Sequence, residues 1–377
     1  MSLITNRCCC VTMIASLCLV LLAAILGVVI MLATTSTSSS TSITTSTTSS
    51  TSSSTSTSTS TTSSSSSTTS STTSTSTTTT TTVTDVLGCI RSIPTSTVNN
   101  TCSGLHWNQT GVTVATGFKK TTGDGHNIEQ WDQCSSSGVV VAGSNTSASG
   151  STSILFNHSE DVTFDTNGYM YVPNTDNDRV QRFPSGSNVG TPVAGTGTAG
   201  STSSTLNKPQ AVAIDSNSNI YVVDVGNKSI MKWAPNATSG TLWLSDSDLD
   251  KTVDIVISST VTNRIYTTRD DKDIIYSWTN GAASSPATIY QVNDTSKSTL
   301  TKPRGMTFDK YGNLYVADRD NDRVVMYCAN STVGIVLVDD STTSPKLDKP
   351  VAVALDSNLN LYVVSESGKN VIEYGRL

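Results

Sequence analysis

Short acidic clusters are the residues of this sequence that come nearest to a chemical site. Asp176-Asn177-Asp178-Arg179-Val180 and Asp320-Asn321-Asp322-Arg323-Val324 are nearly identical. Such clusters either bind calcium or form tight turns, and calcium loops also need a glycine and a glutamate that these segments lack. We therefore predict turns, in which Asn and Asp cap the backbone and Arg pairs locally.

Two further acidic runs lead to similar expectations. Asp246-Ser247-Asp248-Leu249-Asp250 has acids at calcium-loop spacing, but Lys251 stands where such a loop needs Gly and Ile257 where it needs Glu. We expect a solvated loop between repeat units there. Asp270-Asp271-Lys272-Asp273 is expected to form a turn between two strands.

Catalytic constellations are not visible in the sequence. The three histidines, His106, His126 and His158, all precede the first clear repeat, whereas a metal site in a repeat protein draws ligands from several units. No Gly-x-Ser-x-Gly elbow and no phosphate-binding glycine loop is present. We predict no catalytic, metal-binding or cofactor-binding residue and no cofactor.

The elements that carry these clusters follow a regular repeat. A tyrosine and a second aromatic residue lie twelve positions apart five times, while the distance between successive tyrosines varies from 45 to 50. A constant inner spacing with a variable outer spacing is typical of rigid units joined by tolerant loops. The pairs are Tyr171/Phe183, Tyr221/Trp233, Tyr266/Trp278, Tyr315/Tyr327 and Tyr362/Tyr374.

Each unit predicts a small antiparallel sheet. In the second unit, residues 211–215, 220–224, 229–233 and 241–244 are short apolar runs separated by Asn, Gly and Asp turns. Repeated four-stranded units of 45–50 residues indicate a β-propeller, whose blades surround a central channel. The unit near Val253 is divergent, with Thr260 in place of the aspartate that ends the first strand.

These units resemble NHL repeats. The resemblance rests on Lys-Pro-x-x-(Val/Met)-x-(Ile/Phe/Leu)-Asp, on Asn-(Ile/Leu)-Tyr-Val-(Val/Ala) and on the two Asp-Asn-Asp-Arg-Val segments, and it covers about residues 161–377. It implies an NHL-type propeller. Propellers of this general kind include a lyase with histidine-bound metal and calcium-dependent lactonases, so the resemblance leaves an enzyme as the alternative function.

The number of blades is predicted to be six, with five as the alternative. Trp131 lies 52 residues before Phe183 and marks a sixth, degenerate unit whose outer strand is 138–143, although Lys119 replaces its tyrosine. The chain ends three residues after Tyr374, so the last blade lacks an outer strand. Residues 111–116 are predicted to supply that strand and to close the ring.

Upstream of the propeller, residues 11–33 form an uncharged apolar run. A helix of this length would reach roughly 35 Å, enough for a bilayer core of about 30 Å. A cleaved signal peptide is the competitor, but its apolar core is shorter and the run ends in a poor cleavage site. Arg7 precedes the run, so we predict residues 1–10 as a cytoplasmic tail, 11–33 as a transmembrane signal anchor and the remainder as extracellular.

Residues 34–84 are predicted to be a disordered stalk. Positions 34 to 82 contain 48 Ser or Thr among 49 residues, which cannot bury enough apolar surface to offset ordering. The propeller ectodomain is placed at 85–377. Eight Asn-x-Ser/Thr sequons in it predict a glycoprotein of the secretory pathway: Asn99, Asn108, Asn145, Asn157, Asn227, Asn236, Asn293 and Asn330.

The cysteines fall into two groups. Cys8, Cys9, Cys10 and Cys18 lie at or in the apolar run, and the first three are either palmitoylated or ordinary reduced thiols. Four more lie in the ectodomain, where an oxidising compartment favours two disulfides with three possible connectivities. The preferred pairing is Cys89 with Cys102 and Cys134 with Cys328.

The net charge of −6 and the pI near 5.0 argue against nucleic acid as a partner. The sequence thus favours a single-pass membrane protein whose propeller is a non-catalytic recognition module for an extracellular protein, glycan or matrix partner. A metal-dependent hydrolase or lyase that uses the central channel is the alternative. The ligand-binding residues stay unassigned at this level.

Overall fold

Five four-stranded antiparallel sheets are arranged as the blades of a propeller around a channel. The computed structural model describes residues 19–23, 28–32, 79–84, 90–95, 105–116, 126–131, 137–146, 148–269, 271–280 and 286–377. In each blade the first strand lies beside the channel and the fourth lies at the outside. The predicted all-β propeller is confirmed.

The blades are numbered in chain order. Blade 1 contains β8 (Thr163–Phe164), β9 (Met170–Asn174), β10 (Arg179–Phe183) and β11 (Thr191–Ala194). Blade 2 contains β12 (Pro209–Ile214), β13 (Ile220–Asp224), β14 (Ser229–Trp233) and β15 (Thr241–Ser245). Blade 3 contains β16 (Thr252–Ile257), β17 (Arg264–Arg269), β18 (Ile275–Thr279) and β19 (Ala287–Ile289).

The remaining blades take strands from distant parts of the chain. Blade 4 contains β21 (Pro303–Phe308), β22 (Leu314–Asp318), β23 (Arg323–Tyr327) and β24 (Val333–Asp339), with β20 (Gln291–Val292) parallel to β24 at its outer edge. Blade 5 contains β25 (Pro350–Leu355), β26 (Leu361–Ser365), β27 (Asn370–Tyr374) and, as its outer strand, β5 (Val112–Thr116). The prediction that residues 111–116 complete the last blade is confirmed.

The second strand of each regular blade is buried along its whole length. Both faces of a blade are covered by neighbouring blades, so such a strand reads as a nearly continuous apolar run and not as an alternating one. This double burial is the reason that Ile220–Asp224 and Leu314–Asp318 were recognisable as strands from composition.

The aromatic pairs pack between blades, as predicted. In the β13–β14 register Tyr221 lies opposite Lys232 and Trp233 opposite Ile220, so the two aromatic side chains point to opposite faces of blade 2. Tyr221 therefore belongs to the same core cluster as Trp278 of blade 3, while Trp233 belongs to the same cluster as Tyr171 of blade 1. The same alternation joins Tyr266 to Tyr327, Tyr315 to Tyr374, and Tyr362 to Trp131.

A partial blade lies between blades 5 and 1. It contains the antiparallel hairpin of β6 (Asn127–Gln130) and β7 (Val139–Gly143). Its Ile128 packs with Phe183 of blade 1, and Phe156 makes an edge contact with Phe183 at a centroid distance of 5.5 Å. Phe156 is the counterpart of Leu206 in the next unit, since Gly150 N donates to Phe156 O at 3.0 Å as Gly200 N does to Leu206 O.

The six-blade prediction is met only in part, because five blades are complete. The sixth sheet has the order β1-β2-β6-β7, and its two other strands are β1 (Leu19–Ala23) and β2 (Val28–Leu32). Residue pairing between β2 and β6 is parallel, unlike the pairing among the four main strands of each complete blade.

The prediction of a transmembrane helix over residues 11–33 does not match this arrangement, since β1 and β2 are strands. Among the described residues, no helix has the length and apolar content needed to cross a membrane. Leu, Ile and Val favour both a membrane helix and a buried strand, so composition alone could not separate the two.

The disordered stalk at 34–84 stays a prediction, because only its last residues belong to the described part of the chain. Its last residues form β3 (Thr79–Thr84), which pairs antiparallel with β4 (Ile90–Thr95). Threonine is β-branched and suits extended backbone, which explains how a Thr run can join a hairpin. The rest of residues 34–84 lies outside the described part of the chain, as do Cys8, Cys9, Cys10 and Cys18.

Residues 105–116 pack against the last two blades and supply the outer strand of blade 5. Trp107 is buried, donates its indole N–H to the carbonyl oxygen of Leu359 at 2.8 Å and meets the Tyr315 ring edge-on at 5.7 Å. β5 then runs along β27. The last blade is completed by a strand that precedes all the other blades in the chain, which removes an exposed sheet edge.

Candidate functional site

The Asp-Asn-Asp-Arg-Val segments are turns, as predicted. Each forms a short 3-10 turn that ends on an aspartate in the left-handed region, with φ of 48° at Asp178 and 55° at Asp322. Asn321 donates from Nδ2 to Asp318 Oδ2 at 2.9 Å, and Arg323 donates from Nε to the same oxygen at 2.6 Å. The motif therefore shapes the turn between the second and third strands.

The last aspartate of these turns also joins neighbouring blades. Asp178 accepts the backbone N–H of Lys208 at 2.9 Å, and Asp322 accepts that of Lys349 at 2.8 Å. At the equivalent place before β6, the Nδ1 atom of His126 accepts the backbone N–H of His158 at 3.2 Å. One polar acceptor per junction thus fixes the entry of the next inner strand.

The acidic loop at 246–250 lies between blades 2 and 3 and is partly exposed, with 40% of the Asp248 side chain accessible, and its carboxylates also form ion pairs. Arg269, which is buried, lies 3.1 Å from carboxylate oxygens of Asp248 and Asp250 and 3.0 Å from Asp271. The carboxylates are neutralised by an arginine that ends a strand in the next unit. Residues 271–273 do form the predicted turn between β17 and β18, while Asp270 lies outside the described residues.

Two carboxyl groups, the buried one of Asp161 and the half-buried one of Asp254, line the channel, where a cavity of about 270 Å³ lies between the inner strands. Asp161 accepts the N–H groups of Val162 at 2.7 Å and Val212 at 2.6 Å. Asp254 accepts those of Ile255 at 2.9 Å and Met306 at 2.6 Å. Each carboxyl group thereby joins its own inner strand to the next one.

Burial raises the pKa of both groups. The pKa of Asp254 rises to about 7, because the loss of water outweighs the two N–H donors. The pKa of Asp161 is raised well above its ordinary value by burial and by the nearby charge of Asp254. Both oxygens of each carboxyl group accept backbone N–H groups, so these side chains hold the inner strands together.

The histidines do not form a metal centre. His106 is exposed, His126 is buried, and the Nε2 atom of His158 lies 2.9 Å from Glu160 Oε1. In the described part of the chain, no group of three or more His, Cys, Asp or Glu side chains is placed to hold a metal ion. The channel therefore presents hydrogen-bonded carboxyl groups and no convergent set of metal ligands in this part of the chain.

The sequons differ in their accessibility. Asn227 is half-buried in a turn, and its Nδ2 atom, the site of glycan attachment, donates to Gly200 O at 2.8 Å and to Asp224 Oδ2 at 2.7 Å. Asn157 is half-buried, Asn99 lies outside the described residues, and five asparagines are exposed. The exposed ones are Asn108, Asn145, Asn236, Asn293 and Asn330.

The cysteine predictions fall mostly outside the described residues. Cys328 is half-buried just after β23, whereas Cys89, Cys102 and Cys134 lie outside the part that the structure describes. The two proposed pairings stay predictions.

A groove of about 630 Å³ lies at the divergent blade 3, between it and blade 4, and Leu244, Ser245 and Asp246 at the end of blade 2 also line it. Tyr266 and Phe308, both half-buried, meet edge-to-face at 5.5 Å in its wall. Its other aromatic lining residues are Trp278 and Tyr327, and its polar ones include Ser277, Thr279, Thr288, Asn330, Ser331 and Thr332. The groove combines aromatic surface with many hydroxyl and amide groups.

The turn that opens this groove departs from the repeat. In blades 2, 4 and 5 the first strand is followed by an aspartate that binds an asparagine four residues on, as Asp309 binds the Nδ2 atom of Asn313 at 2.8 Å. The backbone identifies the counterparts in blade 3, since Ser258 N donates to Arg264 O at 3.0 Å, as Asp309 N does to Asn313 O. Ser258, and not Thr260 as the sequence suggested, therefore replaces the aspartate, and Arg264 replaces the asparagine.

Two polar groups of the groove lack partners. Arg264 forms no ion pair with any described residue, and its buried Nε atom has no hydrogen-bond acceptor there. Tyr327 is 2% exposed, and its hydroxyl group likewise has no partner in the described chain. Other buried side-chain atoms of the described chain also lack a partner, for example the Tyr374 hydroxyl and the Arg179 Nε atom. The two in the groove differ because a ligand in the cavity can supply the missing bonds.

The corresponding groove between blades 1 and 2, about 590 Å³, provides a contrast. There Arg182 lies over the Tyr169 ring at 4.9 Å, and Tyr171 donates its hydroxyl to Asp165 at 3.0 Å. Its cation and its tyrosine hydroxyl are both engaged. In the groove at blade 3, by contrast, neither Arg264 nor the Tyr327 hydroxyl has such a partner among the described residues.

A recurring spacing between an aromatic residue and a glycine is a second signal that the sequence prediction did not use. A glycine lies seven residues after the third-strand aromatic in four units: Gly138, Gly190, Gly240 and Gly334. A side chain at Gly190 would come within 2.4 Å of the Phe183 ring, and one at Gly240 within 2.8 Å of the Trp233 ring. Blade 3 has Ser285 at this place, which could have identified it as irregular at the outer strand as well.

These blades and their ring of inter-blade aromatic clusters define the chain as a β-propeller. No protein-family model matches the sequence, so the likeness to NHL repeats has no support of that kind, and no curated protein matches it either. The fold class therefore rests on the geometry described above.

Several solved structures are similar to the chain. One is an auxiliary nutrient binding protein from Bacteroides ovatus, with 14% identity, a TM-score of 0.48 and coverage of 66% of this chain and 65% of the other. Virginiamycin B lyase from Staphylococcus aureus has 11% identity, a TM-score of 0.45 and coverage of 78% and 87%. A nidogen/laminin complex has 20% identity, a TM-score of 0.45 and coverage of 58% and 78%. This chain thus spans less than two thirds of the first structure, and likenesses this distant do not bear on function.

Proposed function

We propose that this propeller is a non-catalytic recognition module whose ligand binds in the groove between blades 3 and 4. The observation that carries the proposal is a groove of about 630 Å³ lined by Arg264, which has no ion pair among the described residues, and by Tyr327, whose buried hydroxyl group has no hydrogen-bond partner among them. A concave site with aromatic walls and a few unsatisfied polar groups is the common form of a ligand site.

The central channel is the weaker candidate. Its two carboxyl groups hold four backbone N–H groups and connect adjacent inner strands. A hydrolase or lyase would need groups that are available to a substrate, so the channel geometry favours a structural role for Asp161 and Asp254.

We propose further that the module is of NHL type and is displayed outside the cell, on a single-pass anchor at 11–33 and a stalk at 34–84. Support comes from the uncharged apolar run, from Arg7 before it and from the Ser/Thr tract and sequons after it. Insertion as a helix would satisfy every backbone group within the segment and would replace the pairing of β1 and β2.

Ligand binding in the groove is tested with a substitution that fills it. Thr288 is exposed on β19 and lines the groove, so Thr288→Trp should block it without disturbing the core. Thr241, exposed on β15 of blade 2, is the matched control as Thr241→Trp. The readout is binding of the full-length protein to an array of glycans and purified matrix proteins.

We expect a signal that Thr288→Trp abolishes and Thr241→Trp preserves. Equal signals for both variants would place the ligand elsewhere and would reject the groove. Display outside the cell is checked separately, since protease added to intact cells should remove a C-terminal epitope. A fully protected epitope would contradict that placement.

A further inference from the structure

We infer that the groove selects an acidic sugar, with Arg264 binding its carboxylate; this rests on the proposed function of the groove. In the turn of blade 3, Ser258 and Arg264 replace the aspartate and asparagine of the regular blades. Regular blades place Asp and Asn together, as in Asp215 with Asn219 at 2.8 Å, and the two neutralise each other's hydrogen-bonding needs. Blade 3 has Ser258 and Arg264 at these two positions, so a cation stands where the other blades have an amide and a hydroxyl stands where they have a carboxylate.

The loss of the aspartate also removes a partner from the tyrosine. Tyr221 and Tyr315 donate to Asp215 and Asp309 at 3.3 Å and 3.1 Å. Tyr266, at the same place in blade 3, has Ser258 and not an aspartate in the turn. Its ring and hydroxyl therefore face the groove without the carboxylate that occupies this space elsewhere.

The charged lining residues of the groove are Arg264 and Asp246, which form no ion pair with each other, and the Asp246 carboxylate accepts the backbone N–H of Asp248. Lys251 and Arg269 of the same blade are ion-paired with Asp271, Asp248 and Asp250. Arg264 is the cation of the groove with no such pair among the described residues. A guanidinium group binds a carboxylate with two parallel hydrogen bonds, which is stronger and more selective than a contact with a neutral group.

The remaining walls suit a sugar ring. Tyr266 and Phe308 present half-buried aromatic surface, on which the apolar face of a pyranose can lie. Ser277, Thr288 and Asn330 line the same space and supply hydroxyl and amide groups for the sugar hydroxyls. An acidic peptide would share the carboxylate but would not use this mixture of aromatic faces and small polar groups.

The test compares glucuronate with glucose, which differ in the carboxylate at one carbon. Binding to the full-length protein is measured by calorimetry at low salt, and Arg264→Gln removes the charge while it keeps much of the side-chain stem. The matched control is Arg182→Gln in the groove between blades 1 and 2. Thermal unfolding of each variant confirms that it is folded.

We expect glucuronate to bind at least about tenfold more tightly than glucose, and Arg264→Gln to remove that preference while Arg182→Gln preserves it. Equal binding of both sugars, or a preference that Arg264→Gln leaves intact, would overturn the assignment. So would binding of an acidic peptide but of neither sugar.

The two proposals fail in different ways. If Thr288→Trp blocks an array signal that glucuronate cannot displace, the groove is a binding site but not one for acidic sugars. If Thr288→Trp blocks nothing and glucuronate does not bind, both the recognition site and its ligand class are wrong.

Discussion

At the scale of single residues, glycine and aromatic side chains form a repeated pair within each hairpin. The glycine that opens the fourth strand lies against the aromatic ring that closes the third, at Gly240 with Trp233 and at Gly334 with Tyr327. The ring covers the backbone of the glycine, so no side chain fits between them. The constant spacing of seven residues follows from this contact.

Replacement of one such glycine should destabilise the propeller. Gly240→Ala would place a Cβ atom 2.8 Å from the buried Trp233 ring, and we expect unfolding free energy to fall by about 1–3 kcal/mol. Gly375→Ala is the control, because its Cβ atom would meet nothing nearer than 4.0 Å, and it should change stability by less than about 0.5 kcal/mol. Urea unfolding measures the unfolding free energy of each variant. Similar decreases for the two variants would show that the contact with Trp233 is not the cause.

The channel carboxyl groups predict a dependence of stability on pH. The pKa of Asp254 is raised to about 7 by burial, above the value near 3.9 of an unfolded aspartate. Its contribution to stability is therefore complete below about pH 4 and is lost as the pH rises through about 7. The effect is up to about 4 kcal/mol and is reduced by water that reaches the half-buried group.

Asp254→Asn isolates this contribution. The variant loses one acceptor for a backbone N–H, so it should be less stable than the wild type at pH 5. Because the amide does not titrate, the difference in unfolding free energy between the two proteins should narrow from pH 5 to pH 8. Chemical unfolding at several pH values provides the measurement, and a difference that widens would show that the sign is wrong.

At the scale of elements, the turns between second and third strands determine how successive blades meet. The turn aspartate adopts the left-handed conformation and accepts the N–H of the lysine that begins the next inner strand. That lysine is itself left-handed, with φ of 50° at Lys349 and 56° at Lys208. One short motif therefore fixes both a hairpin and the junction that follows it.

A substitution at Asp322 should weaken both the turn after the second strand and the junction with the next inner strand. Asp322→Ala loses the acceptor for Lys349 and places alanine at φ 55°, so we expect a loss of about 1–2 kcal/mol in unfolding free energy. Asn tolerates this conformation and retains one acceptor oxygen, so Asp322→Asn should lose less than half as much. Thermal unfolding is the measurement, and equal losses would exclude the junction as the source.

At the scale of the whole molecule, the ring is closed by parts of the chain that are far apart in sequence. β5 completes blade 5, and the β6–β7 hairpin fills the gap between blades 5 and 1. The exposed sequons are distributed over this closed body. Asn236 and Asn330 both follow a third strand, in left-handed conformations with φ of 61° and 65°.

Glycan occupancy should follow this exposure when the protein passes through the secretory pathway. Asn236 and Asn330 are exposed and should carry glycans, whereas Asn227 uses its amide nitrogen in two hydrogen bonds. Mass spectrometry of glycopeptides from the folded protein gives the occupancy at each position. A glycan on Asn227 in folded material would contradict the structure at that turn.

Much of each blade was predictable because its determinants are local. The strands Ile220–Asp224 and Ser229–Trp233 and the outer strand of blade 5 agree with the sequence prediction. The segment at 19–32 was assigned a helix because a long apolar run fits a membrane helix as well as buried strands. The divergent turn was misaligned because it is two residues longer, which placed Thr260 where Ser258 belongs.

By itself, the sequence determined the repeat, its hairpins, its turns and the packing of its aromatic pairs, since residues within one hairpin specify these. Only the tertiary structure decided which distant side chains meet. It pairs Arg269 with the acidic loop at 246–250 and leaves Arg264 in the groove without a counter-ion among the described residues. Arg264 begins β17 and Arg269 ends it, so the local sequence pattern could not show which of them is ion-paired. Their difference arises from the neighbouring blades, whose side chains surround one arginine with carboxylates and the other with aromatic and hydroxyl groups.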